Sequence, residues 1–266
     1  MRAFLYLIVL IIYSNLPLSQ TKYVNRNDFE EAFEKFSVKG SFLLYDNSND
    51  KFITFDSTRC GERFIPASTF KIFNSLVGLE TGLIPDTNYV FKWDGIKRNV
   101  VQWNRDLKLR PAFQYSCVPC YQSLARKIRE ERMQYYITKN KYGNMDIGGG
   151  IDKFWLTGNL RMSQIEQIEF LKNLYFDKLD FSKRSMETVK NIMLVINKPE
   201  YKLGVKTGWS IIDGVEYGWY VGYIVKNKKV YFFVTNIECS DLNNEKFGKA
   251  RTEITNNILK KLSLLD

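Results

Sequence analysis

The sequence predicts an α/β protein of the α+β type, with a central antiparallel sheet built from both ends of the chain, flanking helices and an inserted all-helical lobe. Runs rich in aromatic and β-branched residues occur near both ends of the chain, which is typical of strands. Amphipathic helical patterns fill the middle. No linker-like tract or repeat separates these parts, and 266 residues are enough for one large domain.

The first third of the chain is expected to alternate between helix and strand. Residues 25–36 have phenylalanines at helical spacing and predict a helix. Residues 41–45 and 52–55 predict a hairpin, because the polar turn 47–50 separates two apolar runs. A longer apolar stretch over 68–82, ending in glycine, predicts a buried helix.

The rest of the chain predicts the inserted lobe and the second half of the sheet. Ser163 and Glu166 form a capping-box pattern that opens a helix to about residue 174, and 183–194 has a helical pattern. The lobe is expected within about 85–195. Three strands and a final helix are expected at 203–209, 218–225, 230–237 and 247–262.

The N-terminus has the pattern of a secretory signal. Met1-Arg2 precedes eleven apolar residues, 3–13, and a helix-breaking end. Eleven residues are too few to cross a bilayer, which needs about 20. We therefore expect residues 1–20 to be a cleaved signal peptide, residues 21–266 to form the folded domain, and the mature protein to lie off the membrane.

Composition excludes several kinds of chemistry. The net charge is +10, but acidic and basic residues are interleaved along the chain, which argues against nucleic-acid binding. The chain contains no histidine, so Ser-His-Asp triads, Cys-His dyads and histidine-ligated zinc sites cannot form within it. The four cysteines are scattered and make a poor zinc site, so no metal is expected.

Two of the cysteines, Cys117 and Cys120, have C-x-x-C spacing. In an exported protein this spacing is compatible with a local disulfide, and it resembles a thioredoxin-type redox site. The surrounding βαβ pattern of a thioredoxin is missing. The sequence therefore favours two buried small residues that happen to lie three positions apart, with a disulfide as the alternative.

Ser68 and Lys71 are candidate catalytic residues. They lie three positions apart at the start of the apolar 68–82 helix, so their side chains share a face. Burial disfavours the charged form of lysine and lowers its pKa, so that the amine can accept a proton or react with carbon dioxide. A second S-x-x-K, Ser48 to Lys51, lies in a polar turn, where nothing would desolvate the lysine.

A second short motif, Lys206-Thr207-Gly208, ends a predicted strand. Its lysine and threonine are suited to hold an anionic group, and glycine lets a ligand approach the backbone. S-x-x-K together with K-T-G is a signature of serine β-lactamases and penicillin-binding proteins. The S-D-N motif that those families usually carry between the two is missing.

Three further motifs occupy the interval in its place: Ser116-Cys117-Val118, Tyr142-Gly143-Asn144 and Phe154-Trp155-Leu156. With these motifs the sequence closely resembles the class D, oxacillinase-type, serine β-lactamases. The resemblance runs from about residue 29 to the C-terminus and is strong over 63–82, 93–128 and 148–174. It implies the fold shared by serine β-lactamases and penicillin-binding transpeptidases.

The resemblance also implies catalytic roles. Ser68 would be the nucleophile, and Lys71 would be N6-carboxylated and act as general base in acylation and deacylation. The indole N–H of Trp155 would hydrogen-bond the carbamate, and Ser116 would relay a proton to the ring nitrogen of the β-lactam. The backbone N–H groups of Ser68 and Trp209 would form the oxyanion hole.

Other positions would bind substrate or shape the site. Lys206, Thr207 and Arg251 would bind the substrate carboxylate, beside Gly208, while Val118, Leu156 and Phe70 would keep the carbamate dry. The implied substrate-binding set is Val118, Lys206, Thr207, Gly208 and Arg251, and the structural set beside it is Tyr142, Gly143, Asn144 and Leu156. Simpler alternatives are a helix cap for Ser116, a core aromatic for Trp155 and a solvated cation for Arg251.

Three functions share these residues: a secreted β-lactam hydrolase, which we expect, a penicillin-binding transpeptidase, and a β-lactam sensor that is acylated once. The expected reactants are small-molecule β-lactams, with carbon dioxide or bicarbonate for Lys71 and no other cofactor. We expect a periplasmic monomer or homodimer. Residues 210–217 are expected to form a loop beside the site, where substrate range is often set.

Overall fold

The computed structural model describes residues 22–265, so the expected signal peptide lies outside the described residues. The strands are β1 (Lys22–Asn25), β2 (Lys39–Asp46), β3 (Lys51–Phe55), β4 (Val90–Phe91), β5 (Leu107–Lys108), β6 (Leu194–Asn197), β7 (Tyr201–Ile212), β8 (Val215–Lys226) and β9 (Lys229–Cys239). The helices are α1 (Glu30–Glu34), α2 (Ser57–Gly61), α3 (Lys71–Glu80), α4 (Leu109–Gln114), α5 (Val118–Ile128), α6 (Glu130–Lys139), α7 (Gln164–Tyr175), α8 (Lys183–Met193) and α9 (Phe247–Lys261).

Both ends of the chain contribute to one seven-stranded sheet, in the order β1-β3-β2-β9-β8-β7-β6. The β2–β9 pair joins the N-terminal hairpin to the C-terminal strands, as predicted. All neighbouring strands run antiparallel except β1, which lies parallel to β3. The segment between β3 and β6 is mainly helical and also contains the small β4–β5 sheet.

Two hydrophobic clusters cover the two faces of the sheet. Along β2, Leu43 and Tyr45 belong to the larger cluster, which includes residues of α3, α5, α7 and α8. Phe42 and Leu44 belong to the other, which includes residues of α1 and α9. Because successive side chains of a strand point to opposite faces, a strand covered on both sides is apolar throughout.

Several boundaries differ from the sequence-based expectation. The expected helix over 25–36 was wrong in its first part, because β1 extends to Asn25 and the helical turns cover only 27–34. The expected loop over 210–217 was also wrong: β7 and β8 pair continuously to Ile212 and Val215, so Asp213 and Gly214 alone form the turn.

Other elements agree closely with expectation. The capping box at Ser163 and Glu166 is present on α7. The N-terminal hairpin, α8 and α9 begin and end within a few residues of their expected bounds. None of the helices in residues 22–265 combines the length and the apolar character needed to span a membrane.

Two contacts fix the backbone just before Ser68. The backbone groups of Phe64 and Met162 exchange hydrogen bonds, at 2.9 and 2.8 Å. The indole N–H of Trp219, on β8, donates to the carbonyl of Ile65 at 2.8 Å. The backbone that leads to Ser68 is therefore hydrogen-bonded both to the sheet and to the inserted region.

Gly143 provides a stability test of the inserted region. Its φ is +55°, and an added Cβ would lie 2.2 Å from the carbonyl oxygen of Arg161. We expect Gly143→Ala to lower the free energy of unfolding by about 2–5 kcal/mol, from backbone strain plus the steric clash. Gly95 is a matched control, because its φ is +79° but an added Cβ meets nothing within 4 Å.

Chemical denaturation of both variants checks this prediction. Gly95→Ala should lose only the strain contribution, about 1–2 kcal/mol. Equal losses in the two variants would show that the contact with Arg161 is unimportant.

Candidate active site

Ser68 lies in a 3₁₀ turn, Ala67–Phe70, which leads directly into α3. In a 3₁₀ turn side chains three positions apart are nearly eclipsed, so Ser68 and Lys71 meet. Lys71 Nζ donates a hydrogen bond to Ser68 Oγ at 2.7 Å. The preceding residue, Ala67, has a φ of +49°, a strained conformation for a residue other than glycine.

Lys71 is completely buried. Burial lowers the pKa of its amine to about 7, because desolvation disfavours the ammonium ion. Its Nζ lies 5.4 Å from the ring centroid of Tyr121. A neutral amine, capable of taking a proton from Ser68, is therefore accessible near neutral pH.

Trp155 is also completely buried. Its ring stacks on that of Phe70, the residue before Lys71, with centroids 5.3 Å apart. The indole N–H has no hydrogen-bond partner within the described chain. An unpaired buried donor costs about 1–3 kcal/mol, so this part of the site is suited to an additional hydrogen-bond acceptor.

Strand β7 packs directly on the turn that carries Ser68. A Cβ added at Gly208 would lie 3.0 Å from the carbonyl oxygen of Pro66 and 3.2 Å from Thr69 Cγ2. Only glycine allows this approach without displacing the turn. The structure thus brings the K-T-G and S-x-x-K motifs together, as the sequence analysis required.

Lys206 connects β7 to the S-x-V motif. Its Nζ donates to Ser116 Oγ and, at 2.9 Å, to the carbonyl of Thr207. Burial depresses the pKa of Lys206, and the charges of Lys71 and Arg251 depress it further. Ser116 has a φ of +52°, so its hydroxyl is presented from a second strained backbone position.

Arg251 extends from α9 to the same strand. Its Nη1 donates to the carbonyl of Gly208 at 2.5 Å, and its guanidinium lies 5.2 Å from the ring centroid of Trp209. Burial lowers the pKa of Arg251 to about 10. The simpler alternative, a solvated cation, does not describe this side chain, because it is hydrogen-bonded to β7 and largely desolvated.

Glu216 is a site residue that the sequence analysis missed. It is buried, and its carboxylate accepts a hydrogen bond at 3.0 Å from the indole of Trp209, a half-exposed side chain. Burial raises the pKa of Glu216, while the nearby charge of Arg251 lowers it. No sequence signal distinguishes this glutamate, because only the antiparallel register of β7 and β8 brings it to the site.

The Y-G-N segment frames the site through packing and backbone hydrogen bonds. The Tyr142 ring lies 5.6 Å from that of Phe70, between ring centroids. Asn144 accepts from the N–H of Arg161 at 2.9 Å and donates to the carbonyl of Asn159 at 2.9 Å. These contacts are with neighbouring rings and backbone groups, and the structural role of the segment stays a prediction.

Val118 and Leu156 are half-buried. Val118 is the first residue of α5. The carbonyl of Leu156 accepts a hydrogen bond from the hydroxyl of Ser210, which ties the F-W-L segment to β7.

Cys117 and Cys120 form a disulfide, so the preference for two unlinked residues was wrong. Cys117 is the N-cap of α5, which places Cys120 at the third helical position, and their Cα atoms lie 5.4 Å apart. That separation is within the range that a disulfide spans. Cys60 and Cys239 are free and buried.

Three basic side chains meet in the assembled site, where Lys71 and Arg251 both disfavour the charged form of Lys206. Within residues 22–265, no cluster of three or more histidine, cysteine, aspartate or glutamate side chains is placed to hold a metal ion. The arrangement is suited to nucleophilic attack by Ser68 on a substrate that carries a negative charge.

Comparison with known proteins agrees with this geometry. The model of the penicillin-binding protein transpeptidase domain matches residues 23–260. Beta-lactamase OXA-5 of Pseudomonas aeruginosa is 43% identical over 257 residues, which cover 95% of this chain and 94% of that protein. The crystal structure of FUS-1 (OXA-85), a class D β-lactamase from Fusobacterium nucleatum subsp. polymorphum, is 39% identical, with a TM-score of 0.85, and covers 91% of this chain and 100% of that one.

One relative is named as a regulatory protein, not as a β-lactamase. Regulatory protein BlaR1 of Bacillus licheniformis is 34% identical over 224 residues, which cover 84% of this chain but 37% of that protein. The same fold therefore also occurs within a longer regulatory protein.

The buried amine gives a prediction for stability against pH. The folded-state pKa of Lys71 is about 7, below the ordinary lysine value of 10.5. Between these two values the unfolded chain binds a proton that the folded chain does not, so the free energy of unfolding rises with pH. Relative to Lys71→Met, which lacks the amine, wild type should gain about 1.4 kcal/mol per pH unit in this window.

Urea denaturation of both proteins, in buffers purged of carbon dioxide, measures the difference. The gain should level off above about pH 10.5, where the amine is neutral in both states. Parallel stability curves for the two proteins between pH 7 and 10 would contradict a neutral buried amine.

Proposed function

This chain belongs to the class D serine β-lactamases, which hydrolyse β-lactams, and we propose that it does so through a Ser68 acyl-enzyme with N6-carboxylated Lys71 as the general base. Enzymes of this class need no metal. The observation that carries the proposal is the hydrogen bond between completely buried Lys71 and Ser68 Oγ, at 2.7 Å.

In acylation, Lys71 takes the proton of Ser68 as Oγ attacks the carbonyl carbon of the β-lactam ring. The backbone N–H groups of Ser68 and Trp209 stabilise the oxyanion that forms. The carbon–nitrogen bond of the ring then breaks, and Ser116 donates its proton to the leaving nitrogen. The hydrogen bond from Lys206 Nζ to Ser116 Oγ supports this step, because Lys206 can restore the proton.

Substrate binding is assigned to the cationic side of the site. The carboxylate of a β-lactam would lie near Lys206, Thr207 and Arg251, with Gly208 keeping the strand close to the nucleophile turn. Because Lys71 and Arg251 already disfavour the charged form of Lys206, an arriving anion relieves this repulsion. Charge-assisted hydrogen bonds of this kind are among the stronger polar contacts.

Three observations support carboxylation of Lys71. A low amine pKa near 7 supplies the neutral nitrogen that reacts with carbon dioxide, with loss of one proton. The unpartnered indole N–H of Trp155 is available as a donor. The pKa of Lys206, depressed by burial and by the charges of Lys71 and Arg251, is the third, because a carbamate anion nearby would favour its charged form.

In deacylation, Lys71, after losing the proton that it took in acylation, takes a proton from a water molecule, which attacks the carbonyl carbon of the ester. The bond between that carbon and Ser68 Oγ breaks, Lys71 returns the proton to Oγ, and the opened product leaves. The apolar side chains of Val118, Leu156 and Phe70 limit access of bulk water, which would favour loss of carbon dioxide and protonation of the amine.

The alternative is a sensor or transpeptidase domain, which would be acylated by the same residues without rapid deacylation. The match to regulatory protein BlaR1 is the observation that supports this alternative. The first half-reaction is common to all three functions. The rate of deacylation therefore separates them.

We further propose that residues 1–20 direct export and that the mature domain, 21–266 with its inserted lobe at about 85–195, works in the periplasm. The Cys117–Cys120 disulfide supports an oxidising compartment. The domain is proposed to act as a monomer or homodimer on small-molecule β-lactams, without nucleic acid.

Steady-state kinetics tests the function. Purified protein mixed with excess penicillin and bicarbonate should hydrolyse many equivalents, because deacylation has its own general base. Ser68→Ala should hydrolyse none. A single stoichiometric burst, with a stable acyl adduct seen by mass spectrometry, would favour the sensor or transpeptidase instead.

Trp155→Phe tests whether Lys71 is carboxylated, independently of the test of Ser68 as the nucleophile. The variant keeps an aromatic ring against Phe70 but removes the unpartnered N–H. Deacylation should slow by about 10- to 100-fold, the effect of losing one hydrogen bond to a charged group. Acylation should change less, and excess bicarbonate should restore part of the loss.

The control is Trp93→Phe, because the indole of Trp93 donates to the carbonyl of Ile96 on an exposed loop. It should leave both steps unchanged. Full deacylation by Trp155→Phe without added bicarbonate would show that the indole does not hold the carbamate.

A further inference from the structure

The Cys117–Cys120 disulfide begins inside the S-x-V motif, because Cys117 lies between Ser116 and Val118. The backbone around it is tightly held. The N–H of Ser116 donates to the carbonyl of Phe113 at 3.1 Å, and the N–H of Cys117 donates to that of Ala112 at 2.9 Å. These bonds connect Ser116 to the helix before it, α4, while the disulfide connects it to the helix after it, α5.

The disulfide takes the place of a helix cap. Cys117 is the N-cap of α5 and Cys120 is at the third helical position, the two positions that Ser163 and Glu166 join by hydrogen bonds at the start of α7. A sulfur atom is a weaker acceptor than a hydroxyl oxygen, and Cys117 Sγ is 3.3 Å from the N–H of Cys120. The covalent bond supplies the fixation that the weak cap does not.

Ser116 needs this fixation because its φ of +52° is unfavourable for serine. Residues in such conformations persist only where the surrounding structure holds them. If the turn relaxed, the hydroxyl of Ser116 would move. The proposed mechanism uses that hydroxyl to protonate the leaving nitrogen.

The two halves of the disulfide differ in burial. Cys117 is completely buried, but Cys120 is half-buried and lines a cavity of about 190 Å³. Five cationic side chains and the carboxylate of Asp94 line the same cavity, and three of the five, those of Lys92, Arg98 and Arg126, are paired with aspartates. The remaining excess of positive charge favours the thiolate form of a thiol that enters the cavity. Trp103, another lining residue, donates its indole N–H to the carbonyl of Tyr115, next to Ser116, at 2.9 Å.

We infer that the Cys117–Cys120 disulfide is a positioning element for Ser116, and that its reduction by a low-molecular-weight thiol slows acylation. A thiolate attacks Cys120 Sγ, forms a mixed disulfide and releases Cys117, which takes up a proton. A second thiol then displaces Cys120 and leaves as the oxidised thiol dimer, so two thiols are oxidised for each disulfide reduced. This inference rests on the proposed function.

Single-turnover kinetics before and after treatment with dithiothreitol tests it, with the redox state of each sample confirmed by mass spectrometry. Acylation of the reduced protein by penicillin should slow by about tenfold or more, since small displacements of a reacting group have effects of this size. Deacylation of preformed acyl-enzyme should slow much less than acylation, because Ser116 is not used in that step. A merely structural disulfide would not separate the two rates.

Three variants complete the test. Cys117→Ala with Cys120→Ala should acylate as slowly as reduced wild type and should not respond to dithiothreitol. Cys117→Ser with Cys120→Ala should recover part of the rate, because serine is a good helix N-cap. Cys60→Ala, which removes a buried free cysteine, should respond to dithiothreitol as wild type does.

Equal acylation rates for oxidised and reduced wild type would overturn the inference, even if reduction lowered the melting temperature. An oxidised wild type that does not hydrolyse penicillin at all would instead overturn the proposed function. The two failures are therefore distinguishable.

Discussion

Burial of the Lys71 side chain is the constraint on which the rest of the site depends. An ammonium ion loses its hydration when it is buried, and the pKa of this amine accordingly lies near 7. A lysine at that value can exist as a neutral base beside the serine hydroxyl that it contacts. In a chain without histidine, this is how a base for neutral pH becomes available.

The fold supplies that burial by pressing several elements against one short turn. Gly208 lets β7 touch the carbonyl of Pro66, and Trp219 holds the carbonyl of Ile65 from β8. Two residues of the site have positive φ values: Ala67, which precedes Ser68, and Ser116, which accepts a hydrogen bond from Lys206. Strained residues persist only where the surrounding structure holds them. Here the two hydrophobic clusters on the faces of the sheet provide that structure.

Parts of the fold and of the site could be predicted from the sequence wherever a short pattern of residues indicates a single local structure. The capping box at Ser163 and the apolar surroundings of Lys71 are such patterns, and both led to correct expectations. Strand β1 was missed because its four residues are largely exposed and carry no apolar alternation. Glu216 and the unpartnered indole of Trp155 depend on tertiary register and packing, which no short sequence pattern encodes.

The most direct test of a carboxylated Lys71 is a carbon-13 NMR spectrum of the protein in ¹³C-labelled bicarbonate. A carboxylated Lys71 should give one carbamate resonance in wild type, absent from Lys71→Met and weakening as the pH falls below about 7, the pKa of the amine. A wild-type protein that hydrolyses penicillin under the same conditions, but whose spectrum matches that of Lys71→Met, would contradict carboxylation of Lys71.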